Sequence, residues 1–208
     1  MQITTLAKEV QPYVVEMRRY FHQHPELSNR EDKTIQRIAQ ELTDMDIPYE
    51  EIPKGGILAT IQGLDPGKGK TVLLRADIDA LPVQEQPCNL SQPRVCQSQE
   101  DGVMHACGHD GHMANLLTFA QWLSEHREKL HDDVVLLFQP AEETTGGARN
   151  MIEEGALEDP HVEVVYGMHM MPDVPLGKVS TCAGPMMAQT CEMDFIIRGL
   201  AAHGAMPH

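Results

Sequence analysis

The sequence predicts an α/β protein, a three-layer sandwich around a mostly parallel twisted sheet. Two observations carry that expectation. Short apolar runs ended by turn residues alternate with segments whose apolar positions recur every three to four residues, strand against helix. The runs TVLL and VVLLF are also nearly continuous, as in buried strands of a mostly parallel sheet.

Taken in chain order, Leu6, Val10, Val14, Met17 and Phe21 predict an amphipathic first helix ending near His24-Pro25. Ile35, Ile38, Ala39, Leu42 and Met45 predict a second, with Ser28 or Asn29 as its cap. ILATIQG (57–63) is a short strand, and TVLLRADIDALP (71–82) opens as a buried strand that runs into acids and Pro82. Residues 83–103 are polar, contain Pro87 and Pro93, and predict a long loop, a length that usually serves a site or is mobile. Met113, Leu116, Leu117, Ala120 and Leu123 mark a third helix. DVVLLFQP (133–140) is a strand, ARNMIEEGAL a helix, and VEVVYGMHM (162–170) a further strand. Beyond Pro172 the texture changes: GKVSTCAGP and QTCEMDFIIRG read as strands, the second partly alternating, as in a half-exposed antiparallel sheet. A boundary near 182–186 divides the chain into 1–183 and 184–208, with no internal repeat.

The 208 residues are acidic, with 16 Lys and Arg against 31 Asp and Glu, and carry a formal charge of −15. A field of that sign repels phosphate backbones and anionic lipid, so neither nucleic acid nor a membrane is expected as a partner. The N-terminal stretch lacks a basic segment followed by an apolar core, and no run approaches the length of a membrane span. Five cysteines (Cys88, Cys96, Cys107, Cys182 and Cys191) form no compact repeated pattern. Cys88 and Cys96 could pair, but free thiols and a cytoplasmic location are the expectation.

The chemistry concentrates where predicted strands end. RADIDALP follows TVLL, QPAEETTGG follows VVLLF, and GMHMMP follows VEVVY. In open α/β sheets ligands bind outside the carboxyl ends of the strands, so these stretches converge with MHACGHDGH (104–112). Cys107 and His109, two apart, can reach one metal if that stretch is extended; as isolated residues they would be a buried thiol and a solvated imidazole. Glu142-Glu143 suggests one carboxylate on a metal and its neighbour moving protons, against the plainer reading of a charged turn. Asp79 is placed to orient a histidine ligand, though aspartates at such positions also cap turns; Asp77 stays undecided. His169 is either a satisfied core histidine or a ligand. His105, Asp110 and His112 have weaker claims, with His112 opening the next helix and Asp110 capping it.

Together RADIDALP, MHACGHDGH, QPAEE, GMHMMP and GLAAHGAMPH resemble the M20 metallopeptidase family, and within it the amidohydrolase branch of hippurate hydrolases, N-acyl-amino-acid deacylases and auxin-conjugate hydrolases. The resemblance implies a zinc-peptidase-like catalytic domain interrupted by a small α+β lid domain that often mediates homodimerisation, with residues 184–208 as the start of the lid. It implies two divalent metal ions, zinc or manganese first, cobalt or nickel also compatible with mixed S, N and O ligation. Cys107, His109, Glu143 and His169 match metal ligands, Glu142 the general base and Asp79 the acid that supports the centre. His203 matches a lid histidine that stabilises the tetrahedral oxyanion. The substrate implied is a small N-acylated amino acid or similar amide. Related peptidases carry His-x-Asp at the strand end, where this chain has Asp77.

The family also places a last histidine ligand near the end of a chain roughly twice this long. The expectation is therefore a truncated chain that binds metal incompletely and has little activity alone. A non-catalytic, partial metal-binding module is the alternative reading; a cysteine nucleophile at Cys107 is a third. Residues 88–103 depart from the branch's usual short link.

Overall fold

The structure is a computed structural model that describes residues 3–53, 55–65, 69–89, 92–144, 146–187, 193–196, 198–201 and 203–206. Cys191 and the opening of the strand expected over 189–199 lie outside the described residues. The chain divides into two units, Met1–Met170 and Met171–His208, a division that falls before the change of texture read from the sequence.

In the first unit the apolar spacing produces helices α1 (Ile3–Gln23), α2 (Asp32–Asp44), α3 (His109–Glu125) and the short α4 (Gly147–Glu153). The strands are β1 (Tyr49–Glu51), β2 (Ile57–Ile61), β3 (Thr71–Asp77), a two-residue pair β4 (Cys88–Asn89) and β5 (Gln92–Pro93), β6 (Asp133–Gln139) and β7 (Val164–Gly167). Five of them form one sheet in the order β1-β2-β6-β3-β7. β6, β3 and β7 run parallel, as the continuous apolar runs of β3 and β6 predict, although β7, last in the order, leaves Val165 and Tyr166 exposed; β2 and β1 add antiparallel pairings at the other side.

Alternation along the central strands sends side chains to two cores. Ile57, Ala59 and Ile61 of β2 and Val134, Leu136 and Phe138 of β6 pack beneath α1, α2 and α3 with Met17, Phe21, Ile38, Leu42, Met113 and Leu117. Leu58, Val135, Leu137 and Leu73 pack on the other face with Met151 of α4 and Ala156. Helices therefore cover both faces, and the expected three layers are present. Every residue of β6 is buried, which explains a strand with no polar alternation.

The parallel register brings the strand ends level. Asp77 stands beside Gln139, and Arg75 beside both Leu137 and Gly167. The residues that follow β3, β6 and β7 are thus delivered to the same edge of the sheet.

Two local expectations are corrected. Neither Ser28 nor Asn29 caps α2: the residue before the helix is Glu31, without a side-chain cap bond. Instead the Glu26 carboxylate accepts the Thr34 N–H at 2.8 Å, in the first turn. Ser28 is drawn off by a remote partner, Asp79. In the second unit GKVSTCAGP is not a strand, and its described residues hold no helix and no strand beyond the single bridge His203–Met206. A strand needs a neighbour to take its backbone hydrogen bonds, and none lies alongside among these residues. The α+β lid is accordingly not shown. No described helix is long and apolar enough to cross a membrane.

Candidate metal centre

The site assembles from four loops of the first unit. After β3, Asp79 is fully buried and tied on both sides: Ser28 Oγ–H donates to its Oδ2 at 2.7 Å, and the Glu143 N–H donates to the same oxygen at 3.0 Å. After β6 the chain turns at Ala141, whose φ of +50° lies in the left-handed region that non-glycine residues avoid. Its N–H is held by buried Glu31, Oε1 accepting at 2.8 Å. That turn delivers the Glu143 N–H to Asp79 and both glutamate carboxylates to the sheet edge.

The third loop is MHACGHDGH, and the fourth, after β7, carries His169. Cys107 and His109 do not share an extended stretch, as the spacing suggested, because Gly108 adopts φ +91° immediately before α3. A side chain at Gly108 would be strained, and its Cβ would lie 3.1 Å from Met170 Cβ. His109 is fully buried at the start of the helix, where its Nδ1–H donates to the Asp79 carbonyl at 2.8 Å. In the neutral ring its other nitrogen, Nε2, then presents a lone pair. That nitrogen faces Asp77 Oδ2 at 3.5 Å, Glu143 Oε1 at 3.8 Å and Glu142 Oε2 at 4.0 Å. On the far side Cys107 Sγ lies 3.5 Å from His169 Nε2, and the His169 Nδ1–H donates to the Met170 carbonyl at 2.8 Å.

Three sets of donors share His109: Cys107, His109 and His169; His109, Glu142 and Glu143; and Asp77, His109 and His112, with the donor atoms of each set within 4.8 Å of one another. The structure thus brings together Cys107, His109, Glu142, Glu143 and His169, with Asp79 behind His109. His203 belongs to the second unit, where its Nδ1 accepts the Ala205 N–H at 3.3 Å.

These donors fit a divalent cation on a direct observation. His109 Nε2 and Glu143 Oε1 are buried without a hydrogen-bond partner. A lone pair aimed at carboxylate oxygens repels them, and unpaired buried polar atoms are costly. A positive ion among them removes both penalties, and a thiolate, two imidazoles and carboxylates make a donor set suited to borderline divalent metals.

The electrostatics point the same way. Burial, with the carboxylates of Glu143, Glu142 and Asp77 adding to it, pushes the Cys107 thiol up to about 12. Burial disfavours the His109 cation, but Asp79 and Asp77 outweigh it and raise its pKa above the ordinary value. Burial also works against the Asp79 anion, yet His109, Ser28 and the backbone N–H groups of Glu143 and Glu142 bring it down to about 2. The loop is thus a concentration of negative charge that favours any bound cation.

Two residues were underrated in the sequence. Asp77 and His112 form a buried pair, Nδ1–H to Oδ1 at 2.5 Å. Their signal was the three-residue spacing of His109 and His112, which puts both on one side of a helix.

With this geometry in place, comparison with known proteins is decisive for the class. The sequence profile of peptidase family M20/M25/M40 matches residues 73–204, and the chain belongs to that family. It is 40% identical over 197 residues to the N-acetylcysteine deacetylase of Bacillus subtilis (strain 168), covering 94% of this chain and 50% of that protein. It is likewise 40% identical over 209 residues to the N-acyl-L-amino acid amidohydrolase of Geobacillus stearothermophilus, covering 100% of this chain and 54% of that protein. Among solved structures, a Bacillus subtilis protein described as a dinuclear metal-binding peptidase of the M20 family superposes with a TM-score of 0.74 at 41% identity, over 82% of this chain and 46% of that one. The chain spans about half the length of the curated relatives it matches.

Proposed function

We propose that this chain carries the metal centre of a hydrolase that cleaves the amide bond of N-acylated amino acids or similar small amides. The observation that carries the reading is His109: its Nδ1–H is committed to Asp79 and its bare Nε2 faces three carboxylates. Two relatives named for deacylation of N-acyl amino acids support the substrate class.

Two divalent ions would be held by Cys107, His109, Glu143 and His169, with zinc or manganese first and cobalt or nickel also compatible. When bound, such ions supply Lewis acidity that polarises a carbonyl and lowers the pKa of water. Asp79, anchored by Ser28 and the Glu143 N–H, keeps His109 in its Nδ1–H tautomer. Glu142, whose side chain is 40% exposed beside the buried donors, has the freedom to take a proton from the attacking water and return it to the leaving amine. His203 would steady the negative charge developing on the substrate oxygen, as its match to the family's lid histidine implies. A homodimer joined through the lid, and no nucleic-acid or membrane partner, complete the proposal. A cytoplasmic location accords with free thiols at Cys88, Cys96, Cys107 and Cys182. The comparisons favour this reading over a non-catalytic binding module.

The test begins with cobalt(II), whose thiolate charge-transfer band should appear on loading and vanish in Cys107→Ser. In the full-length form with metal loaded, Glu142→Gln should keep the metal and lower release of amino acid from N-acetyl amino acids by about 10²–10⁴-fold. An intact band in Cys107→Ser removes the ligand set, and unchanged hydrolysis in Glu142→Gln removes the base.

A further inference from the structure

His112 sits among the candidate metal donors, yet neither of its nitrogens is available to an ion. Its Nδ1–H donates to Asp77 Oδ1 at 2.5 Å, and its Nε2 accepts the Met170 N–H at 2.8 Å. Both side chains of the pair are buried, His112 at 2% and Asp77 at 1% exposure. Asp77 is itself held by Arg75, Nη1 to Oδ2 at 2.8 Å, and Arg75 Nε–H donates to Gln139 Oε1 at 2.8 Å. A chain of bonds thus runs from the level ends of β6 and β3 through His112 to the loop after β7.

What that chain holds is the Met170 peptide. Its N–H is taken by His112, and its carbonyl accepts the Nδ1–H of His169 at 2.8 Å. With Nδ1 so engaged, His169 has only Nε2 free, the atom that faces Cys107 Sγ. The two imidazoles also pack edge to face, centroids 4.6 Å apart at 65°, which hinders rotation of the His169 ring. The Met170 side chain closes over Gly108 and Gly111, where a Cβ at Gly111 would fall 2.9 Å from the methionine methyl.

We propose that His112 is a positioning residue: oriented by Asp77, it fixes the Met170 peptide, whose carbonyl in turn sets the tautomer and rotation of His169 as a metal ligand. The proposal rests on His169 binding metal, and extends the site to two residues that touch no substrate. It also accounts for Asp77: the carboxylate at the strand end serves His112. Partners behind a ligating histidine raise affinity because the ring is aimed before the ion arrives.

The test needs no assay of hydrolysis. In the wild-type chain without metal, two-bond ¹H–¹⁵N spectra should show both His112 and His169 as Nδ1–H tautomers with unprotonated Nε2. Either ring as the Nε2–H form overturns the proposal. Zinc affinity, read by competition with a chromophoric chelator, should fall about ten- to a hundredfold in His112→Leu, with His169 becoming a mixture of tautomers. His112→Gln, whose side-chain carbonyl reaches the Met170 N–H, should recover most of the loss. Wild-type affinity in His112→Leu overturns the proposal while leaving the metal site standing. A wild-type chain that takes up no zinc removes the site itself, and the proposal with it. Should His112→Leu fail to fold, the wild-type tautomers and the glutamine exchange decide alone, since affinity in the latter far below wild type also overturns it.

Discussion

His22 and Asp110, 88 residues apart in sequence, share a buried 2.7 Å hydrogen bond between the end of α1 and the first turn of α3. The other ring nitrogen of His22 binds Glu85 Oε1 at 2.9 Å, and Arg18 Nε reaches the same Asp110 oxygen at 3.1 Å. Glu85 belongs to the long 83–103 segment, where it also receives Arg94 at 3.4 Å. The long segment is therefore stapled to α1 next to the candidate metal loop. With a carboxylate on each nitrogen, the charged imidazolium is the natural occupant.

That arrangement sets a pH dependence. The bond to Asp110 raises the His22 pKa, burial opposes it, and Glu85 adds to the rise, for a net value above the ordinary 6.5. A group with a raised folded pKa gives stability that is complete below the unfolded value and disappears as pH climbs through the folded one. Thermal midpoints of the wild type and His22→Gln should differ most below pH 6.5 and converge above it. A gap constant from about pH 6 to about pH 9 contradicts this.

His105 behaves in the opposite sense. It is 4% exposed, neither ring nitrogen has a hydrogen-bond partner, and burial pushes its pKa from 6.5 down to about 4. The unfolded chain then binds the extra proton between those values, so stability falls as pH drops from 6.5 to about 4, by about 3 kcal/mol in all. Urea midpoints of His105→Leu should be flatter across that window than those of the wild type. An equal slope in both removes His105 as the source.

Cys107 should be a poor nucleophile in the metal-free chain. With its thiol pushed up to about 12 by burial and by Glu143, Glu142 and Asp77, little thiolate exists near neutral pH. The greater reactivity of a more basic sulfur offsets part of the loss, leaving alkylation slowed by roughly tens of fold relative to an ordinary thiol. Iodoacetamide labelling of the metal-free chain, followed by mass spectrometry, should mark exposed Cys88 and Cys182 well before Cys107. Equal rates would revive the cysteine-nucleophile reading.

Much of this architecture was legible because it rests on local patterns. The continuous apolar runs at 71–74 and 134–138 admit few structures other than central strands, and once they are parallel the motifs at their ends must meet. β1 escaped notice because Tyr49, Glu50 and Glu51 are exposed and carry no periodic signal; their pairing with Ile57–Ala59 is set by β2. The local context of Ser28 is that of a helix cap, whereas its partner, Asp79, lies 51 residues away. The local context of His112 is likewise that of a helix-opening residue, whereas its two bonds, to Asp77 and Met170, are made across 35 and 58 residues. Local pattern specifies elements, and long-range partners specify roles.

Ala141 carries a consequence for engineering. Its left-handed backbone costs roughly 1–2 kcal/mol that glycine would not incur. Yet the same bend aims two glutamates, so a residue that relaxes it also frees the pair to wander. Selection for heat resistance alone would favour that exchange early, and the sturdier molecule would hold the two carboxylates less firmly.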